Sequence, residues 1–340
     1  MDFQKAVELI DKSSSILLTT HTKADGDACG CLAALYEVLA ALGKKAKLLL
    51  LSPLPRWYEF LFAEKVPVLG EDVNLLQITE GRFGQFDLIM IIDTNSYSQL
   101  ACLGAGASRS PKGLEQYLKR ANKPILVIDH HQTGDSLGDV ELVDTAAAAT
   151  GLIVFDFLKY ANWPITEKIA QALFVAIATD TGWFQFSNTD SRVFKSCAGL
   201  IDAGANPTEN YHTLYENFSF QRFMLLATML NNLELHFDGR LATQYLLQRD
   251  FEQTGATYED TENLINECKR IGTVEVAALF VQLKDGRIKC SLRSSGDIDV
   301  CKIAEKFGGG GHKTAAGVHL PGPLEDAMHL IKAEVEKQLQ

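Results

Sequence analysis

No two cysteines of this chain form a Cys-x-x-Cys pair. The seven present are irregularly spaced, which reads as reduced thiols in a reducing compartment rather than a disulfide or zinc framework. No apolar run approaches the ~20 residues needed to span a bilayer. The charged opening, MDFQKAVELIDKSSS, lacks an apolar signal core, so the expected location is the cytoplasm, with no membrane partner. Positive charge is also short. Lys and Arg number 32 against 43 Asp and Glu, for a formal net charge of −11. That disfavours a protein that coats long nucleic acid, because such affinity comes from neutralised phosphates. Low-complexity tracts are missing too, and the two halves are not an internal repeat.

What is there is a 340-residue chain, 46% hydrophobic and 9% aromatic, long enough for two domains that each bury a core. ILLTT (16–20), AKLLLLS (46–52), DLIMIID (87–93) and ILVID (125–129) are apolar on both alternating faces, as suits parallel strands covered by helices on either side. Helical patterns fall between them, among them 28–42, so the first half reads as a doubly wound, mostly parallel α/β domain. From 149 to 231 the reading is mostly helical. TGLIVFDFLKY and TEKIAQALFVAIATD each begin at a threonine placed to cap a helix. After 232, Asp-Gly turns in LELHFDGRLATQYL and VAALFVQLKDGRIKCSLRSS predict hairpins. With helices near 259–268, 298–307 and 323–338 they make a smaller α+β domain.

The strand-like runs end in ligand-type residues: His21, then Asp93, then Asp129-His130-His131. In open α/β sheets this end of the strands is where ligands bind. Asp25 and Asp27 follow His21 in TKADGDACG, and Asp180 ends an apolar helix in AIATDTGWF. Each has an ordinary explanation alone: Asp27 as a helix cap, Asp93 and Asp180 as turn formers, His21 as a hydrogen-bonded strand end. Together they would leave several carboxylates repelling one another in one crevice, and a pair of divalent cations removes that repulsion. Carboxylate and imidazole without cysteine suit Mn²⁺, Mg²⁺, iron or cobalt better than structural zinc. Two metals ~3.5–4 Å apart are a common device for phosphoester hydrolysis.

HTKADGDA, IIDTN, DHH and TDTGWF, in that order, resemble the four motifs of the DHH phosphoesterase superfamily, and GGGGHKTAAG (308–317) resembles the hallmark of the DHH-associated C-terminal domain. The resemblance implies a metal-dependent phosphoesterase domain over 1–217, a helical linker over 218–231 and a substrate-binding domain over 232–340, with the active site in the cleft between domains. It implies that His21 and Asp25 bind one metal, that Asp27, His130 and Asp180 bind the other, and that Asp93 bridges them. Successive residues of an extended chain point opposite ways, so His130 and His131 are not expected on one metal. His131 would face the scissile phosphate, with Asp129 orienting an imidazole. Ala24, where many members have proline, Gln99, near which subfamilies often carry arginine, and the alanines of TAAAATG (145–151) depart from the pattern.

In the second half, consecutive glycines let backbone N–H groups approach an anion, and Arg293 can grip a phosphate bidentately. The resemblance assigns substrate binding to Arg293, Gly309, Gly310 and His312. Size and domain order are similar to the NrnA-type branch, which cleaves short oligoribonucleotides to mononucleotides and dephosphorylates 3′-phosphoadenosine 5′-phosphate (pAp), usually with Mn²⁺ and alternatively Mg²⁺ or Co²⁺. The expected partner is thus a short RNA or nucleotide, without long-duplex DNA binding and with a homodimer left open. The rivals are a phosphodiesterase for the linear dinucleotide pApA, a RecJ-like single-strand exonuclease and a non-catalytic nucleotide sensor.

Overall fold

The structure, a computed structural model, describes residues 1–100 and 112–339. It divides into two compact units, Met1–Glu216 and Asn217–Gln340.

The first unit is built on five parallel strands: β1 (Ser15–Thr20), β2 (Lys45–Leu49), β3 (Leu88–Ile92), β4 (Ile125–Asp129) and β5 (Val140–Val143), in the order β2-β1-β3-β4-β5. The four apolar runs of the sequence are β1 to β4. Their side chains alternate between two cores. Ile16, Leu18, Leu88, Met90 and Ile92 face one core, and Leu17, Ile89, Ile91 and Val127 face the other. Helices α1 (Phe3–Lys12), α2 (Gly26–Ala41), α5 (Thr150–Tyr160), α6 (Glu167–Asp180) and α7 (Ser191–Asp202) contribute to the first core. Helices α3 (Leu75–Thr79) and α4 (Lys112–Ala121) contribute to the second. Helix α8 (Pro207–Tyr215) closes the unit. Strand order reverses at β1 and β3, and the crevice beyond their C-terminal ends is the ligand position of such sheets.

Helix α2 is apolar nearly all round because α6 lies unusually close to it. A Cβ on Gly30 would lie 2.4 Å from the Ala172 carbonyl oxygen and 2.9 Å from the Ala176 Cβ, and one on Gly26 would lie 2.3 Å from the Thr179 hydroxyl. On α5, a Cβ at Gly151 would lie 2.8 Å from Ala176. These glycines let the polar ends of three helices meet at one point.

The second unit opens with α9 (Phe220–Asn231), which falls on the segment read as a linker; its Leu225 and Met229 are buried in this unit's core. Strands β6 (Glu234–His236) and β7 (Leu241–Leu246) are followed by α10 (Gln248–Thr254), β8 (Val276–Gln282), β9 (Ile288–Ser294), α11 (Val300–Glu305), β10 (Gly310–His312), β11 (Ala315–Leu320) and α12 (Leu324–Leu339). The sheet order is β10-β11-β9-β8-β7-β6, antiparallel except between β7 and β8. Both Asp-Gly hairpins form, with Gly239 and Gly286 at φ 83°. The helix expected over 259–268 is two short 3₁₀ turns instead, because Asn263 between them sits at φ 61°. No helix among the described residues is long and apolar enough to cross a membrane.

Helix propensity alone would make Gly30→Ala a gain of about 1 kcal/mol. Overpacking against a backbone carbonyl costs about 1–3 kcal/mol, and a carbonyl cannot rotate away. The expected outcome is a lower urea midpoint, and an unchanged or higher one would show that α2 and α6 separate freely.

Candidate metal centre

Asp25 caps α2. Its Oδ1 accepts the backbone N–H of Asp27 and of Ala28, each at 3.1 Å. Asp27 is therefore not the cap of its own helix, and its carboxylate reaches across to the start of α5. There Oδ2 accepts the N–H of Thr150 at 2.6 Å and Oδ1 that of Gly151 at 2.9 Å. These are unpaired first-turn donors, and the helix dipole favours an anion beside them. The Cys31 thiol lies 3.3 Å from the same Oδ1. Thr150 is not a cap either, since the capping position is Ala149. Its hydroxyl instead donates to Asp93 Oδ1 at 2.8 Å.

Asp93 follows β3 with a left-handed backbone, φ 60°, a conformation aspartate tolerates better than most residues. Its N–H donates to the Ile128 carbonyl at 2.8 Å, and the residue is 1% exposed. His21 Nε2 lies 3.5 Å from Asp93 Oδ2 and 3.9 Å from Asp25 Oδ1. His130 Nε2 lies 3.6 Å from Asp180 Oδ2, 3.7 Å from Asp93 Oδ1 and 4.0 Å from Asp27 Oδ2. The other nitrogen of each ring meets a carbonyl, His21 Nδ1 that of Thr22 at 3.0 Å and His130 Nδ1 that of Ala147 at 3.1 Å. Both rings thereby point Nε2 inward.

Asp129 Oδ1 accepts the backbone N–H groups of His130 and His131 and also His131 Nδ1, the last at 2.7 Å. A carboxylate only accepts, so His131 carries its proton on Nδ1 and has Nε2 free for another group. The structure departs from alternation here. The strand ends at Asp129, and the two imidazoles sit edge to face 4.7 Å apart, with His131 Nδ1 3.9 Å from Asp93 Oδ1.

Three groups result whose ligand atoms lie within 4.8 Å of one another: His21, Asp25 and Asp93; Asp27, His130 and Asp180; Asp93, His130 and His131. Asp93 and His130 each belong to two. Burial and the charges of Asp93, Asp180 and Asp25 hold Asp27 well above the usual carboxylate range, against the Thr150 N–H, which lowers it. Burial raises Asp180, His130 lowers it, and Asp25 and Asp93 raise it, to about 7. Burial lowers His21, but its hydrogen bond to Asp93 and the charges of Asp25 and Asp93 lift it to about 9. The crevice holds more carboxylate than it can keep ionised unaided. Its oxygen and nitrogen donors fit divalent cations.

Of the second unit's expected residues, Arg293 lies on β9, Gly310 and His312 lie on β10 with β11 between the two strands, and Gly309 just precedes β10. Arg293 on β9 is half-buried, has no ion pair among the described residues, and donates to the Leu292 carbonyl at 3.0 Å. The glycine run has a structural cause of its own: a Cβ on Gly309 would lie 2.4 Å from the Gly317 carbonyl oxygen, and one on Gly311 2.4 Å from that of Ala315. The Gly309 N–H is already given to Ala304 at 2.9 Å. Gly310 pairs with Gly317 and His312 with Ala315 on the edge strand; the His312 side chain lies outside the described residues. Thr150 is the site residue that sequence reasoning missed. The signal was present, since Thr150-Gly151 opens an apolar helix, but it reads equally well as a cap.

Comparison with known proteins identifies two families. The family model for the DHH family, N-terminal domain, matches residues 15–177, and that for the DHHA1 domain matches residues 238–340. The bifunctional oligoribonuclease and PAP phosphatase NrnA of Thermus thermophilus is 28% identical over 344 residues, covering 98% of this chain and 92% of the relative. The Bacillus subtilis protein of the same name is 25% identical over 317 residues and covers 92% of each chain. Among solved structures, an exopolyphosphatase-related protein from Bacteroides fragilis superposes with a TM-score of 0.87 at 20% identity, covering 98% of this chain and 95% of that one. That likeness establishes the fold.

Two predictions follow from the site itself. Thr150→Val keeps the backbone donors to Asp27 and removes only the hydroxyl on Asp93. Loss of such a supporting hydrogen bond typically weakens metal affinity about 10–100-fold, so Mn²⁺ titration calorimetry should show that loss, with Thr150→Ser restoring it. The second concerns pH. Asp180 and His21 both titrate higher folded than unfolded. The stability Asp180 confers is fully present below its ordinary 3.8 and is lost by about 7, and that of His21 is fully present below its ordinary 6.5 and is lost by about 9. In chelator the melting temperature should therefore fall over that window. Added Mn²⁺ should raise it more at the alkaline end, where it no longer competes with protons.

Proposed function

As a phosphate-ester hydrolase that belongs to the DHH family and carries a DHHA1 domain, this chain, we propose, hydrolyses short oligoribonucleotides to mononucleotides and removes a phosphate from pAp. The observation that carries the reading is the sharing of Asp93 and His130 among three ligand groups, an arrangement suited to two adjacent cations rather than one. The activities for which the two NrnA relatives are named support the substrate class.

In this reading His21 and Asp25 hold one cation, Asp27, His130 and Asp180 hold the other, and Asp93 serves both. Divalent cations there, Mn²⁺ first and Mg²⁺ or Co²⁺ as alternatives, supply the positive charge that neutralises phosphoryl oxygens and makes water nucleophilic near neutral pH. The chain's own groups do the rest. The α5 N-terminus holds Asp27 in place, and the Thr150 hydroxyl fixes the orientation of Asp93. Asp129 locks the His131 ring, and its hydrogen bond raises the imidazole above its ordinary value, against burial, with the charges of Asp93 and Asp129 adding to the rise. A protonated His131 then offers Nε2–H to a phosphate oxygen or to the departing one.

The test compares kcat/KM for pAp, a 5′-phosphorylated RNA dinucleotide, pApA, long single-stranded DNA, pyrophosphate and polyphosphate, with Mn²⁺ and with chelator. Turnover of pAp and the dinucleotide that chelator abolishes is expected, with long DNA left intact. Activity confined to pApA would move the enzyme to linear dinucleotide turnover, and activity on none would leave a nucleotide sensor. Asp93→Ala should reduce turnover to background; a near-normal rate in Mn²⁺ would refute the shared-ligand role.

A further inference from the structure

The chain immediately after Asp180 takes a costly path. Gly182, Trp183 and Phe184 are all left-handed, at φ 57°, 56° and 68°, a conformation that residues with side chains adopt singly and seldom in succession. The segment is nonetheless firmly held. Trp183 N–H donates to the Ala178 carbonyl at 2.6 Å, and those of Gln185 and Phe186 donate to the Thr181 carbonyl at 3.0 Å. The Asn188 amide donates to the carbonyls of Asp180 at 3.2 Å and Ala148 at 3.1 Å. The loop is thus clipped to the end of α6, which carries Asp180, and to the start of α5, which holds Asp27.

This path sorts the aromatic residues. Trp183 packs on Phe174 and on Tyr211 and Tyr215, with ring centroids 6.0, 5.2 and 5.5 Å away. Phe184 stacks on Phe194 at 5.6 Å. Phe186 does not join them and remains 56% exposed. Its ring lies against Gly182, where a Cβ would come within 2.4 Å of it. Single exposed apolar side chains are ordinary. This one differs in being set by a strained, multiply bonded loop against bare backbone two residues from a metal-site carboxylate.

We propose that Phe186 is a stacking platform for the nucleobase of a substrate whose phosphate lies at the metal centre. The inference rests on the nucleotide reading above and extends it: the base is gripped by its face. Every base has a π face, so such a platform is tolerant of sequence, as suits an enzyme that must accept any short RNA.

The test is equilibrium binding of AMP and of ribose 5-phosphate to the Mn²⁺-loaded protein. Wild type should hold AMP about 10-fold more tightly than the base-free sugar phosphate, a typical stacking contribution for one base. Phe186→Ala should erase that difference and leave ribose 5-phosphate and Mn²⁺ affinity unchanged, and Phe186→Trp should restore it. Phe186→Leu, which keeps apolar bulk over Gly182, should lose the difference as well. Equal affinity of wild type for the two ligands, binding of neither, or equal weakening of both by Phe186→Ala would overturn the proposal. Hydrolysis of pAp by a wild type that binds the two ligands equally would sink the platform alone. Base-dependent binding without hydrolysis would sink the hydrolase reading alone.

Discussion

Four aspartates, Asp25, Asp27, Asp93 and Asp180, have oxygens within a few ångströms of one another's imidazole partners, and keeping that much negative charge in one crevice is the constraint behind the first unit. Charges that repel weakly in water repel strongly where protein replaces it. Three of the four carboxylates are therefore held by hydrogen-bond donors: backbone donors of α2 for Asp25, backbone donors of α5 for Asp27, and the Thr150 hydroxyl for Asp93. The glycines at 26, 30 and 151 let α2, α5 and α6 come close enough to bring those carboxylates together. Packing that would look merely apolar along the helices is, at their ends, what assembles the polar centre.

The sheet was legible because a parallel strand covered on both faces has to be apolar throughout, and β1 to β4 are. Strand β5 escaped notice. Val140–Val143 is four residues long, includes Glu141 and is only half-buried, so it carries neither a continuous apolar run nor clean alternation. The α+β character of the second unit could be read from its two Asp-Gly turns, where the need for positive φ leaves a mark in residue type. The 3₁₀ turns around Asn263 could not, because a hydrophobic period of three to four does not separate them from a helix.

Within the site, the ligand-type residues could be found by their position after strands, whereas their partners could not. Asp25-Gly26-Asp27 offers two candidates for one cap, and only the tertiary placement of α5 decides that Asp25 takes it. Alternation along β4 predicted opposite directions for His130 and His131, but the chain leaves the strand at Asp129 and both rings gather beside Asp93. In the second unit the glycine run read as an anion cradle, yet Gly309 and Gly311 have close backbone approaches of their own to satisfy. A glycine signals that something comes near, without saying whether it is a ligand or the next strand.

The carboxylate of Asp27 does two jobs at once, facing His130 and accepting the first-turn N–H groups of another helix. Its neighbour Asp180 has no backbone donor on its carboxylate among the described residues and faces His130. The two are therefore unequally exposed to evolutionary drift. In a descendant that gave up chemistry, Asp180 could be replaced at little structural cost, while loss of Asp27 would strip the first turn of α5 of its partners. On the proposed two-cation reading, an intact Asp27 is thus weak evidence of a working enzyme, and an intact Asp180 is strong evidence.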